Sequence, residues 1–491
     1  MKPIKKQTLL LMLFSVTTVA ISAQTKDKPN IIIMMADDLG YGDVGCFGNE
    51  IIQTPNLDQL AKKGVKYTAF YSGHPSCSPS RVAMMTGRTP FRNGIYNYIP
   101  DKSSVFLREK EVTIAEICKQ AGYDTGFFGK WGLIGDMENQ SQPHPNSHGF
   151  DTWMATHNNA IPSHKNPTNF YENGVALGEI KGYSSQIVMD KAMKWLDSRK
   201  DKSRPFCLVL WFHEPHLVLG QPDSFREKYK QYPGKEGDYY ANVNHLDFQI
   251  GRFMSYLNKD KVDENSLILF TSDNGPKGDG PGKTGGFRGS KGYFYEGGYR
   301  EPTIMYWKGV IEGGREEKEA LTFFDLVPTL YDLFSMKPLN KERLDGVSLI
   351  PLFNGEKLER SIPPIWMGPH TTTIRDGDWK LVGNFERFQK GQSLTGYFGT
   401  RKIASYELYD LKNDPFETKD LAKDLPVIKE KLIKKMNNLV VSVQSEMVPW
   451  NGRNVLPFES LKQFRKVPLT RAEWNAMTPE QQEYFGEKPI K

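Results

Sequence analysis

Ile31-Ile32-Ile33-Met34-Met35-Ala36, followed at once by Asp37-Asp38, is a short apolar run of β-forming residues that stops at two carboxylates. The pattern recurs. Phe206-Cys207-Leu208-Val209-Leu210-Trp211-Phe212 stops at His213-Glu214-Pro215-His216, and Ser266-Leu267-Ile268-Leu269-Phe270 runs on to Asp273-Asn274. A weaker run from Tyr123 to Phe128 stops at Gly129-Lys130-Trp131. None of these runs alternates polar with apolar, as expected of parallel strands covered on both faces. Helical patterns lie between them, at Leu57 to Lys63, closed by Gly64, and at Ser185 to Ser198. Strands alternating with helices predict an α/β fold with right-handed crossovers. Ligands in such sheets gather beyond the carboxyl ends of the strands, so polar clusters far apart in sequence should share one rim.

The 491 residues are ample for a large core and a smaller companion domain. Net charge is +6, and Lys2, Lys5 and Lys6 supply three of those units. These lysines precede an apolar run from Leu9 to Ile21 and a small-residue exit at Ser22-Ala23, the layout of a secretory signal peptide cleaved after Ala23. The mature protein is therefore expected to be periplasmic or secreted. No later run has the length of a membrane span, so no membrane insertion is expected. The remaining charge is too mild, and too scattered, to predict a nucleic-acid partner. Four cysteines are present, with no Cys-x-x-Cys pair to hold zinc. Cys118 and Cys207 lie in apolar runs and read as small buried hydrophobes.

Cys77 differs. In Cys77-Ser78-Pro79-Ser80-Arg81 it opens a short helix, with Pro79 where a missing N–H is harmless and Arg81 one turn along to meet an anion. Asp37, Asp38, Asp273 and Asn274 offer only oxygen ligands, a set that suits Ca²⁺ or Mg²⁺ better than zinc. Carboxylates crowded at strand ends would otherwise repel one another.

Together these segments resemble the type I sulfatases, formylglycine-dependent enzymes of the alkaline phosphatase superfamily. Two more stretches carry the likeness: Arg288-Gly289-Ser290-Lys291 with Glu296-Gly297-Gly298-Tyr299-Arg300-Glu301-Pro302, and Gly129-Lys130-Trp131. The resemblance implies an alkaline-phosphatase-like fold, with a large mixed, mostly parallel sheet flanked by helices. It further implies that a maturation enzyme oxidises Cys77 to formylglycine (3-oxoalanine). A calcium ion would be held by Asp37, Asp38, Asp273, Asn274 and residue 77 itself. A hydroxyl of the hydrated aldehyde would attack sulfur, the second hydroxyl allowing sulfate to be expelled. Arg81, Lys130 and Lys291 would neutralise the sulfate oxygens, and His213 would protonate the leaving alcohol. His216, His157, Asn158, Asn159, His370 and Arg375 are candidates to face the sugar. The family's histidine after Gly-Lys-Trp is replaced here by Gly132.

Ile374 to Val382 reads as two strands around an Asp-Gly turn, Glu407 to Leu411 as another, and Val427 to Val443 as a helix. This resembles the small antiparallel subdomain of sulfatases. The expected division is a signal peptide (1–23), a catalytic domain (24–370), that α+β subdomain (371–450) and an extension (451–491) with a short helix near Thr478. The function implied is release of sulfate from carbohydrates such as glycosaminoglycan or algal polysaccharide fragments. The rival readings are a phosphoesterase or phosphonate hydrolase on the same superfold and an inactive binder of sulfated glycans.

Overall fold

The computed structural model describes residues 28–387, 394–448 and 450, so the expected signal peptide (1–23) and the expected extension (451–491) lie outside the described residues. Among the described residues eleven strands form the central sheet. In chain order they are β1 (Asn30–Ala36), β2 (Val65–Tyr71), β3 (Asp124–Lys130), β4 (Thr152–Thr156), β5 (Tyr171–Glu172), β6 (Val175–Ala176), β7 (Phe206–Trp211), β8 (Ser266–Ser272), β9 (Arg300–Tyr306), β10 (Arg315–Glu317) and β11 (Leu321–Thr322). Across the sheet the order is β10-β2-β9-β8-β1-β7-β3-β4-β5-β6, with β11 also on β2. The middle, β8-β1-β7-β3-β4, is parallel throughout. β9 runs antiparallel to β2 and β8, and β4-β5-β6 is antiparallel. The sheet is thus mixed and mostly parallel.

Continuous apolarity in β1 has its reason in the two layers. Ile31, Ile33 and Met35 enter one core, shared with Val82 and Met84 of α2 (Cys77–Thr86) and Ile114 and Ile117 of α3 (Ile114–Gln120). Ile32, Met34 and Ala36 enter the other, against Leu57 of α1 (Pro55–Lys63), Val188 of α4 (Ser184–Ser198) and Leu246 of α5 (Gly234–Lys259). Each fully buried aliphatic side chain stabilises the fold by roughly 1.5–3 kcal/mol. Cys118 and Cys207 sit in the first of these cores as free thiols. No helix among the described residues is long and apolar enough to cross a membrane.

A second sheet is antiparallel and ordered β12 (Ile365–Met367), β13 (Thr371–Asp376), β14 (Trp379–Phe385), β15 (Ile403–Asp410). The tight β13–β14 turn needs Gly377, whose φ is +62°. The last helix, α7 (Pro426–Ser445; α6 is Leu326–Leu333), lays Leu432, Met436 and Leu439 on Ile374, Leu381 and Leu408, and Phe91 and Tyr96 of the main body enter the same cluster. The two sheets are also joined by buried charge: Lys380 on β14 contacts Glu296 at 3.0 Å and Glu417 at 2.8 Å.

Candidate active site

Register brings the polar clusters together. β1 pairs with β8 so that Ala36 lies beside Ser272; the next residue on each is an aspartate, Asp37 and Asp273. On the other side Met35 lies beside Trp211 of β7, and Trp211 beside Gly129 of β3, one residue before Lys130. Four parallel strands therefore deliver Asp37-Asp38, Asp273-Asn274, His213 to His216 and Lys130 to one rim. Cys77 arrives from β2, through a loop ending at Ser76, as the first residue of α2; it is 4% exposed.

Each carboxylate there meets a cation. Arg81, fully buried, donates from Nε and Nη2 to Asp273 Oδ2 at 3.0 and 2.7 Å and from Nη1 to the Lys130 carbonyl at 2.8 Å. Its guanidinium lies 5.1 Å from the Trp211 ring. Lys130 Nζ donates to Asp37 Oδ2 at 2.6 Å and to Asn159 Oδ1 at 3.0 Å. Lys291 Nζ and Asn274 Nδ2 donate to Asp38 Oδ1 at 2.6 and 2.7 Å. Asp38 adopts a φ of +64°, a region aspartate tolerates, and its N–H donates to Asp273 Oδ1 at 3.2 Å. Burial pushes the Asp37 carboxyl up, but Lys130, His216, Arg81 and Lys291 outweigh it and hold the group below the ordinary carboxylate range. Burial works against the charge of Lys291, yet Asp38 and the other acids raise its proton affinity well above normal.

The donor set fits a hard cation. Asp37, Asp38 and His216 bring ligand atoms within 4.8 Å of one another. Two buried oxygens, Asp37 Oδ1 and Asn274 Oδ1, have no hydrogen-bond donor, as expected of ligands facing a cation.

The two histidines after β7 part company. His216 Nε2 lies 3.5 Å from Asp38 Oδ2 while Nδ1 is held by the Leu217 carbonyl at 2.7 Å. Burial lowers its pKa and Asp38 and Asp37 push back. His213 is fully buried, its Nε2 bonded to Thr156 Oγ1 at 2.8 Å and its ring packed on Phe170; burial depresses it to about 3. His157 receives the Gly132 N–H on its carbonyl at 2.9 Å and sits 3.8 Å from Asp101. Asn158 gives its carbonyl to the Thr156 hydroxyl. Arg375 is turned to the Tyr71 hydroxyl and to the Gly377 carbonyl, and His370 lies near Arg401, both on the small-sheet side.

Gly132 has a structural cause. Its φ is +70°, and a Cβ there would stand 3.1 Å from Arg81 Cδ. The residue is glycine where Arg81 needs the room. Thr156 and Trp211, which seat His213 and Arg81, escaped sequence reading. Trp211 reads as core, and Thr152-Trp153-Met154-Ala155-Thr156 lacks the apolar run of the other parallel strands. Over the rim opens a cavity of about 700 Å³ bordered by Asp38, Asn159, His216, Lys291, Leu217 and Tyr239.

Residues 29–336 match the family described as Sulfatase. Arylsulfatase A of Homo sapiens is 34% identical over 428 residues, covering 80% of this chain and 83% of the relative. N-acetylgalactosamine-6-sulfatase of Canis lupus familiaris is 29% identical over 402 residues, 75% of each chain. The crystal structure of Ps i-CgsB in complex with k-i-k-neocarrahexaose superposes with a TM-score of 0.75 at 27% identity, covering 84% of this chain and 93% of that one. Rim, fold and relatives agree: this chain belongs to the sulfatase family of the alkaline phosphatase superfamily and is a sulfuric ester hydrolase.

Proposed function

We propose that the protein is an exported carbohydrate sulfatase, matured by oxidation of Cys77 and dependent on one calcium ion. The observation that carries this reading is the packing of three cations, Arg81, Lys130 and Lys291, against Asp273, Asp37 and Asp38 beside Cys77 at the helix entrance. Sulfated-sugar chemistry is supported by the relatives, one named N-acetylgalactosamine-6-sulfatase and one solved in complex with k-i-k-neocarrahexaose. Export is supported by the layout of residues 1–23.

Calcium would be held by Asp37, Asp38, Asp273, Asn274 and residue 77, where the ion would polarise a sulfate oxygen and the oxidised residue would supply the attacking hydroxyl. The chain's own side chains do the rest. Lys130 and Lys291 cradle the non-bridging oxygens; Arg81 holds Asp273 and the Lys130 backbone in place. The leaving oxygen needs a proton, which His216 would give from Nε2 as the imidazolium, its Nδ1–H staying on the Leu217 carbonyl; with Nε2 turned to Asp38 beside Lys291 it is better placed than His213, whose Nε2 is engaged by Thr156. His213 then acts by positioning Thr156 and the Asn158 loop.

The test is parallel turnover of sulfate, phosphate and phosphonate monoesters by protein co-expressed with a maturation enzyme, with mass analysis of the Cys77 peptide. Expected are sulfate release lost on chelation and restored by Ca²⁺, an aldehyde at residue 77, and no turnover by a folded Cys77→Ala variant. Full turnover by Cys77→Ala, or preference for phosphate esters, would refute the assignment.

A further inference from the structure

The 700 Å³ cavity over Asp38, His216 and Lys291 does not end at the rim. It shares Lys277 and Gly282 with a second depression of about 870 Å³, which continues past Lys283, Thr284 and Ser290 to Asn49 and Glu50. The two together exceed the space one sugar ring fills. The first is bordered by apolar groups suited to a pyranose face, among them Leu217, Leu219 and Pro281. The second is glycine-rich, and Lys277, Lys283 and Glu50 are its charged groups.

The loop that separates them is a pinned platform. The Lys283 N–H donates to Asp43 Oδ1 at 2.9 Å, and its carbonyl receives the Gly42 N–H at 2.8 Å. Asp43 Oδ2 also accepts from the Gly40 N–H at 2.7 Å and the Tyr239 hydroxyl at 2.6 Å. A Cβ on Gly40 would stand 2.2 Å from the Lys283 carbonyl oxygen, so the loop lies flush only on bare glycine. From this fixed backbone the side chains of Lys277 and Lys283 are exposed. Lys283, and Lys235 across the first cavity, make no ion pair among the described residues. Lys277 has only the exposed Asp279 at 3.3 Å, a pair worth at most about 1 kcal/mol and readily exchanged for a ligand. Of the acids nearby, Glu236 accepts the Tyr240 hydroxyl at 2.6 Å, Asp279 faces Lys277, and Glu50 lies at the far end.

We infer that the enzyme acts on a sulfated chain, with the ester-bearing sugar in the first cavity and a neighbouring residue in the second, where Lys277 and Lys283 receive an additional carboxylate or sulfate. This rests on the carbohydrate-sulfatase reading and adds the size and charge of the substrate to it.

The experiment compares kcat/KM of matured wild type and the Lys277→Ala/Lys283→Ala double variant on three probes. They are a monosulfated monosaccharide, a disulfated tetrasaccharide with a neutral backbone, and a sulfated uronate-containing tetrasaccharide. Wild type should favour a tetrasaccharide over the monosaccharide by about tenfold or more, and the double variant should bring that ratio close to one, chiefly through KM. Which tetrasaccharide gains identifies the second group as sulfate or carboxylate. Equal kcat/KM for the monosaccharide and both tetrasaccharides, or an unchanged ratio in the variant, overturns the inference while leaving the sulfatase reading intact. No sulfate release from any of the three, or from an aryl sulfate, overturns both.

Discussion

At the scale of single residues, two neighbours in sequence have opposite surroundings. His213 and His216 both follow β7, the first expected as the acid and the second as a sugar contact, but one turn of chain puts the first in the interior and the second beside Asp38. If His216 gives the proton, its replacement by Asn should lower kcat on a sugar sulfate by roughly 10²–10³-fold, and far less on an aryl sulfate whose phenol leaves unaided. His213→Asn should depress both substrates alike, since it disturbs placement rather than proton transfer. A leaving-group dependence found in His213→Asn instead would reverse the two roles. Gly132 makes the same point about space: a departure from the family pattern becomes, in three dimensions, room for the Arg81 stem.

Among the elements, β9 shows how a signature segment and a structural one coincide. Pro302 lies in a strand flanked on both sides, where a missing N–H should break a ladder. The β2–β9 register shifts between Tyr67 and Phe70, opposite Pro302, so the bulge absorbs it. Immediately before this strand, Glu296 receives Lys380 from the small sheet, with Arg300 at 3.1 Å. Lys380 is 1% exposed and balances two buried carboxylates. Lys380→Met should therefore destabilise the protein by about 3–5 kcal/mol in denaturant unfolding, because breaking a buried pair strands a charge. Adding Glu417→Gln should recover much of that loss. A single variant as stable as wild type would show the junction to be held by apolar packing alone.

For the molecule as a whole, buried histidines set the response to acid. Burial depresses His74 and His213 to about 3 and His148, His157 and His245 to about 4. Below the unfolded value of about 6.5 the unfolded chain gains protons that the native state refuses, so stability present above that pH is lost as it falls. Each such group contributes a slope of up to about 1.4 kcal/mol per pH unit. Asp43, raised by burial to about 7, Asp247 and Asp273, raised to about 6, and Glu301, raised by its burial, act in the opposite sense but are outnumbered once His370, lowered to about 4, is added to the histidines. Denaturant midpoints should fall steadily from pH 7 to pH 4.5; a midpoint that rises over that range would contradict the assignment of these histidines as neutral.

The sequence by itself determined the class of fold and the chemistry of the rim. Unbroken apolar runs ending in Asp37-Asp38, His213 to His216, Asp273-Asn274 and Lys130 demand a two-faced sheet, and such sheets collect their polar ends on one edge. Only tertiary structure decided which side chain meets which. That Lys130 takes Asp37 and Lys291 takes Asp38, that His216 rather than His213 turns to the acids, and that Gly132 makes way for Arg81 all depend on strand register and on contacts between segments far apart in the chain. Local pattern specifies an element's type and the faces it buries; pairing is set by what arrives from elsewhere.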